Sequence, residues 1–171
     1  CAAAGAEALL LGHSQLHVGA AAIRKSVGIP LLDLVDATLS VAANTGIRRL
    51  ALLGVRYAKE DAIWQSRGED RGLIVAVPPA EMAARVNAIV LGELSRGIVD
   101  GASKAELIRL CAGFRRDGAR AVVLAAPELR LALGAGDSVL PVIDATEVHV
   151  SAAIDWVNEG EEVRPFQPGT N

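Results

Sequence analysis

The sequence predicts an α/β protein built from two similar parallel-sheet lobes with a cleft between them. Short apolar runs that end at Gly, Pro or a charged residue alternate with helical patterns, which is typical of buried parallel strands. Residues 5–13 also resemble residues 118–126, and each copy is followed by a second matching block, at residues 29–36 and 140–147. The repeat is too long for a solenoid period and indicates two related halves, each offering one strand end to the cleft.

Six strands and seven helices follow from the alternation. Asp33 and Asp144 each follow a strand and are expected to cap the next helix. Ser103 and Glu106 have the spacing of a capping box. The strands are predicted at residues 8–11, 30–32, 50–53, 73–77, 121–124 and 142–143. The helices are predicted at residues 16–27, 35–44, 58–65, 79–96, 104–116, 127–133 and 146–159.

The repeat also predicts where the lobes begin and end. One lobe comprises residues 1–45 and 141–158, and the other comprises residues 46–140. Residues 159–171 mix charge, Pro and Gly, and we expect a tail that runs over the surface or is disordered.

Composition excludes several classes of protein. Of the 171 residues, 51% are hydrophobic, so the chain has enough apolar surface for a packed core. The net charge of −3 argues against a nucleic-acid partner, and no apolar run is long enough for a membrane span. Two cysteines, Cys1 and Cys111, make no disulfide framework, and we expect a reducing, cytoplasmic setting.

The chain begins within a predicted helix, at Cys1. We expect a truncated or processed chain whose missing N-terminal part supplies another strand, and a companion N-terminal polypeptide is a candidate partner. An N-terminal nucleophile, a lipidated cysteine and an expression artefact are the alternatives.

One stretch concentrates the chemistry-bearing side chains. The apolar run at residues 8–11 ends at Gly12, and His13, Ser14, Gln15 and His17 follow at once. Because a helix begins here, these side chains and the first backbone N–H groups of the helix lie at the carboxyl end of a strand. Open α/β sheets bind their ligands at such ends.

Five blocks of the sequence resemble the aspartate/glutamate (Asp/Glu/hydantoin) racemase superfamily, in the right order over nearly the whole chain. Gly12 to His17 and residues 29–33 resemble "P-C-N-T-x-H … I-P-(I/L)", and residues 50–54 resemble "G-L-L-A-T". Residues 125–129 resemble "G-C-T-E-(I/L)", and residues 141–149 resemble "(V/I)-P-V-x-D-T-T-x-x-H".

The resemblance implies cofactor-independent proton transfer by two cysteines, one on each side of a substrate α-carbon. His13 and Ala126 occupy those two positions here, so a symmetric two-thiol racemase is excluded for this sequence. Pro127 replaces the threonine of the second motif and removes a backbone N–H. An engineered Cys→Ala change at Ala126 is one explanation of the second substitution.

Several residues are candidates for a role at the cleft. His13 is a general acid/base or a hydrogen-bonding residue at the helix start, and His149 has a catalytic or a structural role. His13 and His17 are one helical turn apart, but no third ligand stands out, so we expect no metal. The resemblance to the racemase superfamily implies that no cofactor is needed either. The residues predicted to bind substrate are Ser14, Gln15, His17, Glu128 and Thr146.

Two classes of function remain open. The first is an enzyme, most simply an isomerase, that transfers a proton at the carbon next to a carboxylate of a small amino acid or related acid, with lyase or hydrolase chemistry as the variant. The second is a non-catalytic scaffold that keeps the fold. The expected partners are a small carboxylate or amino-acid-like substrate and further copies of the chain, with neither nucleic acid nor membrane.

Overall fold

Parallel strands form two sheets in the computed structural model of this protein, which describes residues 1–55, 60–134 and 136–160. The larger sheet has the order β4-β3-β5-β6, and β1 and β2 form a separate pair. The strands are β1 (Leu9–Leu10), β2 (Leu31–Leu32), β3 (Arg49–Leu53), β4 (Ile74–Ala76), β5 (Ala121–Leu124) and β6 (Val142–Asp144). The α-helices are α1 (Ala20–Ser26), α2 (Leu34–Asn44), α3 (Glu60–Glu69), α4 (Ala80–Gly92), α5 (Gly101–Arg116) and α6 (Ala145–Gly160).

Helices cover both faces of the larger sheet, so its strands are apolar on both sides. Side chains alternate between the faces of a strand, and they therefore divide between two cores. One core packs α4 and α5 against one face of β3 and β5, and the other packs α2 and α3 against the opposite face. Trp64 of α3 is fully buried in the second core, and Cys111 of α5 is buried in the first.

The sequence repeat is visible as a structural repeat. β1 pairs with β2 in the same register as β5 pairs with β6, and both pairs are parallel. The glycine that precedes each first strand has a left-handed backbone, with φ of 85° at Gly5 and 90° at Gly118. The matching pairs are Leu9–Leu31 and Leu10–Leu32 in the smaller sheet, and Val122–Val142 and Val123–Ile143 in the larger one.

One strand lies in a different place from the predicted one. The predicted boundary at residue 141 puts β6 in the same lobe as β1 and β2, but β6 pairs with β5 in the larger sheet. The prediction was wrong for this strand. The two matching blocks of each copy pair with each other in one sheet, so β6 belongs with β5. The chain returns to the smaller sheet after β6, through α6, which packs on α2 and contacts β2.

The six predicted strands are confirmed, and five predicted helices differ in their bounds by more than one residue, among them α3, which ends four residues after the predicted end at residue 65. The first comprises a 3-10 helix, Ser14–Gly19, followed by α1, and the fourth divides into α4 and the 3-10 helix Leu94–Arg96. The 127–133 helix is a 3-10 helix, Pro127–Leu131. The capping box was wrong, because Asp100 caps α5 three residues earlier by accepting the backbone N–H groups of Ala102 and Ser103.

Two predicted segments extend beyond the described residues. The predicted helix at 58–65 begins among residues 56–59, and most of the predicted tail is made of residues 161–171. Within the described ranges, no helix is both long enough and apolar enough to cross a bilayer.

We expect the two halves of the repeat to differ in what their strands contribute to stability. Val123 of β5 is fully buried, whereas its counterpart in β1, Leu10, is 46% exposed. Val123→Ala should therefore lower the free energy of unfolding by about 2 kcal/mol, and Leu10→Ala by less than about 0.5 kcal/mol. Urea denaturation of both variants checks this. Equal losses would show that β1 is as well packed as β5.

Candidate active site

His13 begins the first strand-to-helix corner and caps its 3-10 helix. Its Nδ1 accepts the backbone N–H of Gln15 at 3.3 Å. A neutral imidazole that accepts at Nδ1 carries its proton on Nε2. The side chain is exposed, so this ring can donate from Nε2 to a solute, but it must leave the cap before Nδ1 can take a proton.

A buried ionic cluster lies behind this corner, centred on Asp33. Oδ1 of Asp33 caps α2 by accepting the N–H groups of Val35 and Asp36, as predicted. The same carboxylate contacts three cationic or ionisable side chains from three other elements. These contacts are His17 Nδ1 at 3.2 Å, Arg24 Nη2 at 2.9 Å and Arg67 Nη1 at 2.8 Å.

The cluster determines the charge state of Asp33. Burial raises the pKa of this carboxyl, but the close contacts with the His17 and Arg67 side chains outweigh burial and hold the pKa well below its ordinary range. The Asp33 side chain is only 2% exposed, so a solvated proton has little access to it. Asp33 is therefore an anion that orders the side chains around it. This structural role differs from that of a residue that transfers protons.

Arg67 of α3 and Arg71 of the turn that follows α3 extend the cluster towards the larger sheet. Arg67 also lies 3.3 Å from Asp36, and Arg71 donates to Asp36 at 2.9 Å. The sequence analysis missed both arginines and Arg24 as parts of the site. No local pattern around these arginines signals the contact, because Arg67 and Arg71 are more than thirty positions from Asp33 and Asp36.

His17 and His149 lie together under the first corner. Both rings are buried, and they meet edge to face with centroids 5.9 Å apart. His149 Nε2 donates to the Leu32 carbonyl at 2.9 Å, which ties α6 to β2. His17 Nδ1 lies 3.2 Å from Asp33 Oδ1, whereas His13 is exposed.

The second strand end differs strongly from the first. Ala126 follows β5 and is 2% exposed within the apolar core, where its neighbours include Leu129. Pro127 opens the 3-10 helix, and Glu128 on its first turn is half-buried. No polar side chain caps this helix. The convergence of Ala126 and His13 on one pocket therefore stays a prediction, since one is a buried methyl and the other an exposed imidazole.

The remaining predicted substrate-binding residues are spread over two corners. Ser14 is buried and Gln15 half-buried in the 3-10 helix after His13, whereas Thr146 is exposed at the start of α6. The N–H of Thr146 donates to Asp144, which caps α6 as predicted. A groove of about 530 Å³ runs beside this start of α6, between α2 and β6.

A model of the Asp/Glu/hydantoin racemase family matches residues 1–153 of this sequence. The chain belongs to that family. The resemblance of the five motifs is thereby confirmed, and so is the α/β class with parallel strands in two sheets.

Solved structures agree with the family. A Yersinia pestis protein provisionally named an Asp/Glu racemase is 32% identical, with a TM-score of 0.85 over 92% of this chain and 69% of its own. An aspartate racemase homologue from Pyrococcus horikoshii OT3 is 27% identical, with a TM-score of 0.83 over the same shares. Arylmalonate decarboxylase, at 20% identity and a TM-score of 0.55, matches over 92% of this chain and 72% of its own and shares the fold.

We predict that Asp33 stabilises the fold in a pH-dependent way. Its pKa is lowered in the folded state, so its contribution is present above the pKa of an unfolded aspartate, about 3.9, and is lost as the pH falls. Asp33→Asn keeps a capping side chain but removes the charge. It should lower the free energy of unfolding by about 3 kcal/mol at pH 7, and the difference from the unsubstituted protein should shrink below about pH 4.

Asp144→Asn is the matched control for this measurement. Asp144 is the repeat counterpart of Asp33 and also caps a helix, but its ion-pair partner, Arg130, is 63% exposed. The control should cost less than about 1 kcal/mol in urea denaturation at pH 7. Equal losses from the two substitutions would contradict the assigned role of the buried cluster.

Proposed function

We propose that this protein transfers a proton at the carbon next to a carboxylate of a small amino acid or related acid, without a cofactor, and that His13 is its only acid/base. The proposal rests on the side chains of His13 and Ala126, which stand at the two cysteine positions of the family motif. An imidazole stands at the first position and a methyl group at the second, within a family match that extends over residues 1–153.

One acid/base limits the stereochemistry of the reaction. Inversion at carbon needs a proton acceptor on one side and a donor on the other, and the methyl of Ala126 can be neither. His13 can remove and return a proton on a single side, which exchanges the hydrogen and keeps the configuration. It can equally protonate a carbanion that another bond cleavage has produced, and the decarboxylase among the structural neighbours supports this lyase variant.

The other polar residues have supporting roles in this proposal. We assign Ser14, Gln15, Glu128 and Thr146 to substrate contact. We assign His17 and His149 to positioning, because His17 faces Asp33 and His149 Nε2 is already bonded to the Leu32 carbonyl. Proton abstraction requires the His13 ring to release the Gln15 N–H, which substrate binding would have to drive.

A non-catalytic member of the family is the second candidate. The burial of Ala126 in the apolar core and the proline that follows it favour this candidate, because both remove polar groups from the second strand end. The two candidates differ in one measurable property, namely the exchange of a substrate's α-hydrogen with solvent.

The first test is α-hydrogen exchange in deuterated water, read by mass spectrometry and chiral chromatography. The substrates are both enantiomers of aspartate and of glutamate, together with methylmalonate. We expect deuterium incorporation with retained configuration. His13→Asn keeps a capping side chain but has no acid/base, so it should exchange at least about 100-fold more slowly with little change in stability. Full exchange by this variant would contradict the proposal, and no exchange of any substrate would favour the scaffold.

The second test restores a proton carrier at the other strand end. Ala126→Cys adds a thiol where the family motif has one, so the exchange that His13 catalyses should be accompanied by inversion. Chiral chromatography of one enantiomer over time measures this gain. Unchanged retention in a variant that folds normally would show that position 126 does not face the substrate.

A further inference from the structure

The outer edge of β6 is an open strand edge with a groove on each face of the sheet. Among the described strands, β6 has β5 as its one neighbour, and its residues are half-buried whereas those of β5 are buried. The groove of about 530 Å³ lies on the face that α2 covers. A second groove, of about 410 Å³, lies on the other face, beside Leu133 and Leu140. Both grooves are lined by Val142, Asp144 and Glu147, so they meet at the strand edge.

The backbone of β6 directs hydrogen-bonding groups to the outside of the sheet. The Val122 N–H donates to the Pro141 carbonyl, and Val122 lies opposite Val142. Successive residues of a strand direct their N–H and C=O groups to opposite sides, so those of Val142 and Asp144 face away from β5. Pro141 and Ile143 face β5, and the N–H that the proline lacks is missing on that side. The proline therefore does not protect the outer edge from another strand.

The carboxyl end of this edge is acidic. Three carboxylates line the first groove there, namely Asp144, Glu147 and Asp155. Arg130 pairs with the first two, at 3.3 and 3.6 Å, and offsets only part of their charge. The Glu147 side chain is 65% exposed, so it is accessible to a second cation.

The amino end of the same edge is basic. Arg115, in the last turn of α5, donates from Nη1 to the Val139 carbonyl at 3.2 Å, which places its guanidinium beside the chain that leads into β6. Arg116 follows it, and Arg120 immediately precedes β5. All three arginines are exposed, and Asp117 is the one carboxylate between them in the sequence. The edge thus runs from a basic end to an acidic end.

We propose that this edge binds a second copy of the chain, β6 against β6, about a two-fold axis that passes through Ile143 perpendicular to the sheet. Such an axis reverses the strand direction, so the acidic end of each copy meets the basic end of the other. Val142 then lies opposite Asp144 of the other copy, and the two residues exchange main-chain hydrogen bonds. The larger sheets of the two copies become one sheet. His13 takes no part in this contact, which is independent of the proposed reaction.

The charges and the apolar side chains both suit this partner. Val139 is as many residues before Ile143 as Glu147 is after it, so Glu147 of each copy lies near Arg115 of the other. Val139 and Val41 are 43% and 40% exposed and supply apolar surface beside the grooves. A parallel pairing would bring like charges together. A separate basic peptide would match only the acidic end, whereas a second copy matches both ends.

The first test is the oligomeric state of the chain, measured by light scattering and sedimentation over a range of protein concentrations. We expect a dimer that dissociates on dilution. When the dimer forms, hydrogen exchange should slow at least about tenfold in peptides that cover residues 139–147. Peptides that cover β1 and β4 should be unchanged, because neither strand takes part in the proposed contact.

Charge exchange between the two ends locates the contact. Arg115→Glu or Glu147→Arg alone opposes like charges twice in each dimer, so either should weaken the dimer at least about tenfold. The double variant opposes unlike charges again and should recover the affinity to within about threefold. Arg109→Glu is the matched control, because Arg109 is exposed on the same helix and lines neither groove, and it should dimerise normally. Urea denaturation checks that each variant is folded.

Three results would overturn the proposal. The first is a chain that stays monomeric up to about 100 μM. The second is a dimer whose protection from hydrogen exchange lies at β1 or β4 and not at β6. The third is a dimer that the single charge reversals leave intact, or that the double variant fails to restore.

Discussion

The carboxylate of Asp33 is the interaction on which the rest of this structure depends. It follows β2, caps α2, and contacts His17 of the first 3-10 helix, Arg24 of α1 and Arg67 of α3. One buried anion thus orders elements of the small sheet and joins them to a helix of the larger sheet. A buried charge of this kind is stable only while its partners stay in place, so the corner that carries His13 has a rigid support.

The two halves of the repeat share a backbone design and have diverged in their side chains. Asp33 and Asp144 both cap the helix after a second strand, but only Asp33 lies in a buried ionic cluster. The strand ends have diverged as well, since His13 is exposed and polar while Ala126 is buried among apolar side chains. The proposal of proton transfer on one side of a substrate rests on this asymmetry of the strand ends.

Local sequence signals predicted much of the fold. Apolar runs located all six strands, because parallel strands buried on both faces need such runs, and Asp33 and Asp144 were recognised as caps from their position after a strand. The partner of β6 was missed, although the repeat contained it, because the lobe boundary was placed between the two blocks of one copy. The start of α5 was missed because both Asp100 and Ser103 are residue types that cap helices, and the structure has Asp100 as the N-cap.

The ionic cluster and the environment of the strand ends could not be predicted from local patterns. Arg67 reaches Asp33 from more than thirty positions away, and no periodicity in either segment specifies that contact. The burial of Ala126 likewise depends on how α4, α5 and β5 pack together. The tertiary structure shows that His17 contacts Asp33 and that His149 bonds the Leu32 carbonyl, whereas His13 is exposed.

A double-mutant cycle between Asp33 and Arg67 tests most directly whether the buried carboxylate joins the two sheets. The free energies of unfolding of Asp33→Asn, Arg67→Met and the double variant are measured in urea at pH 7. If the contact has the assigned role, the coupling energy is at least about 1 kcal/mol. Single effects that add to within about 0.3 kcal/mol would contradict it.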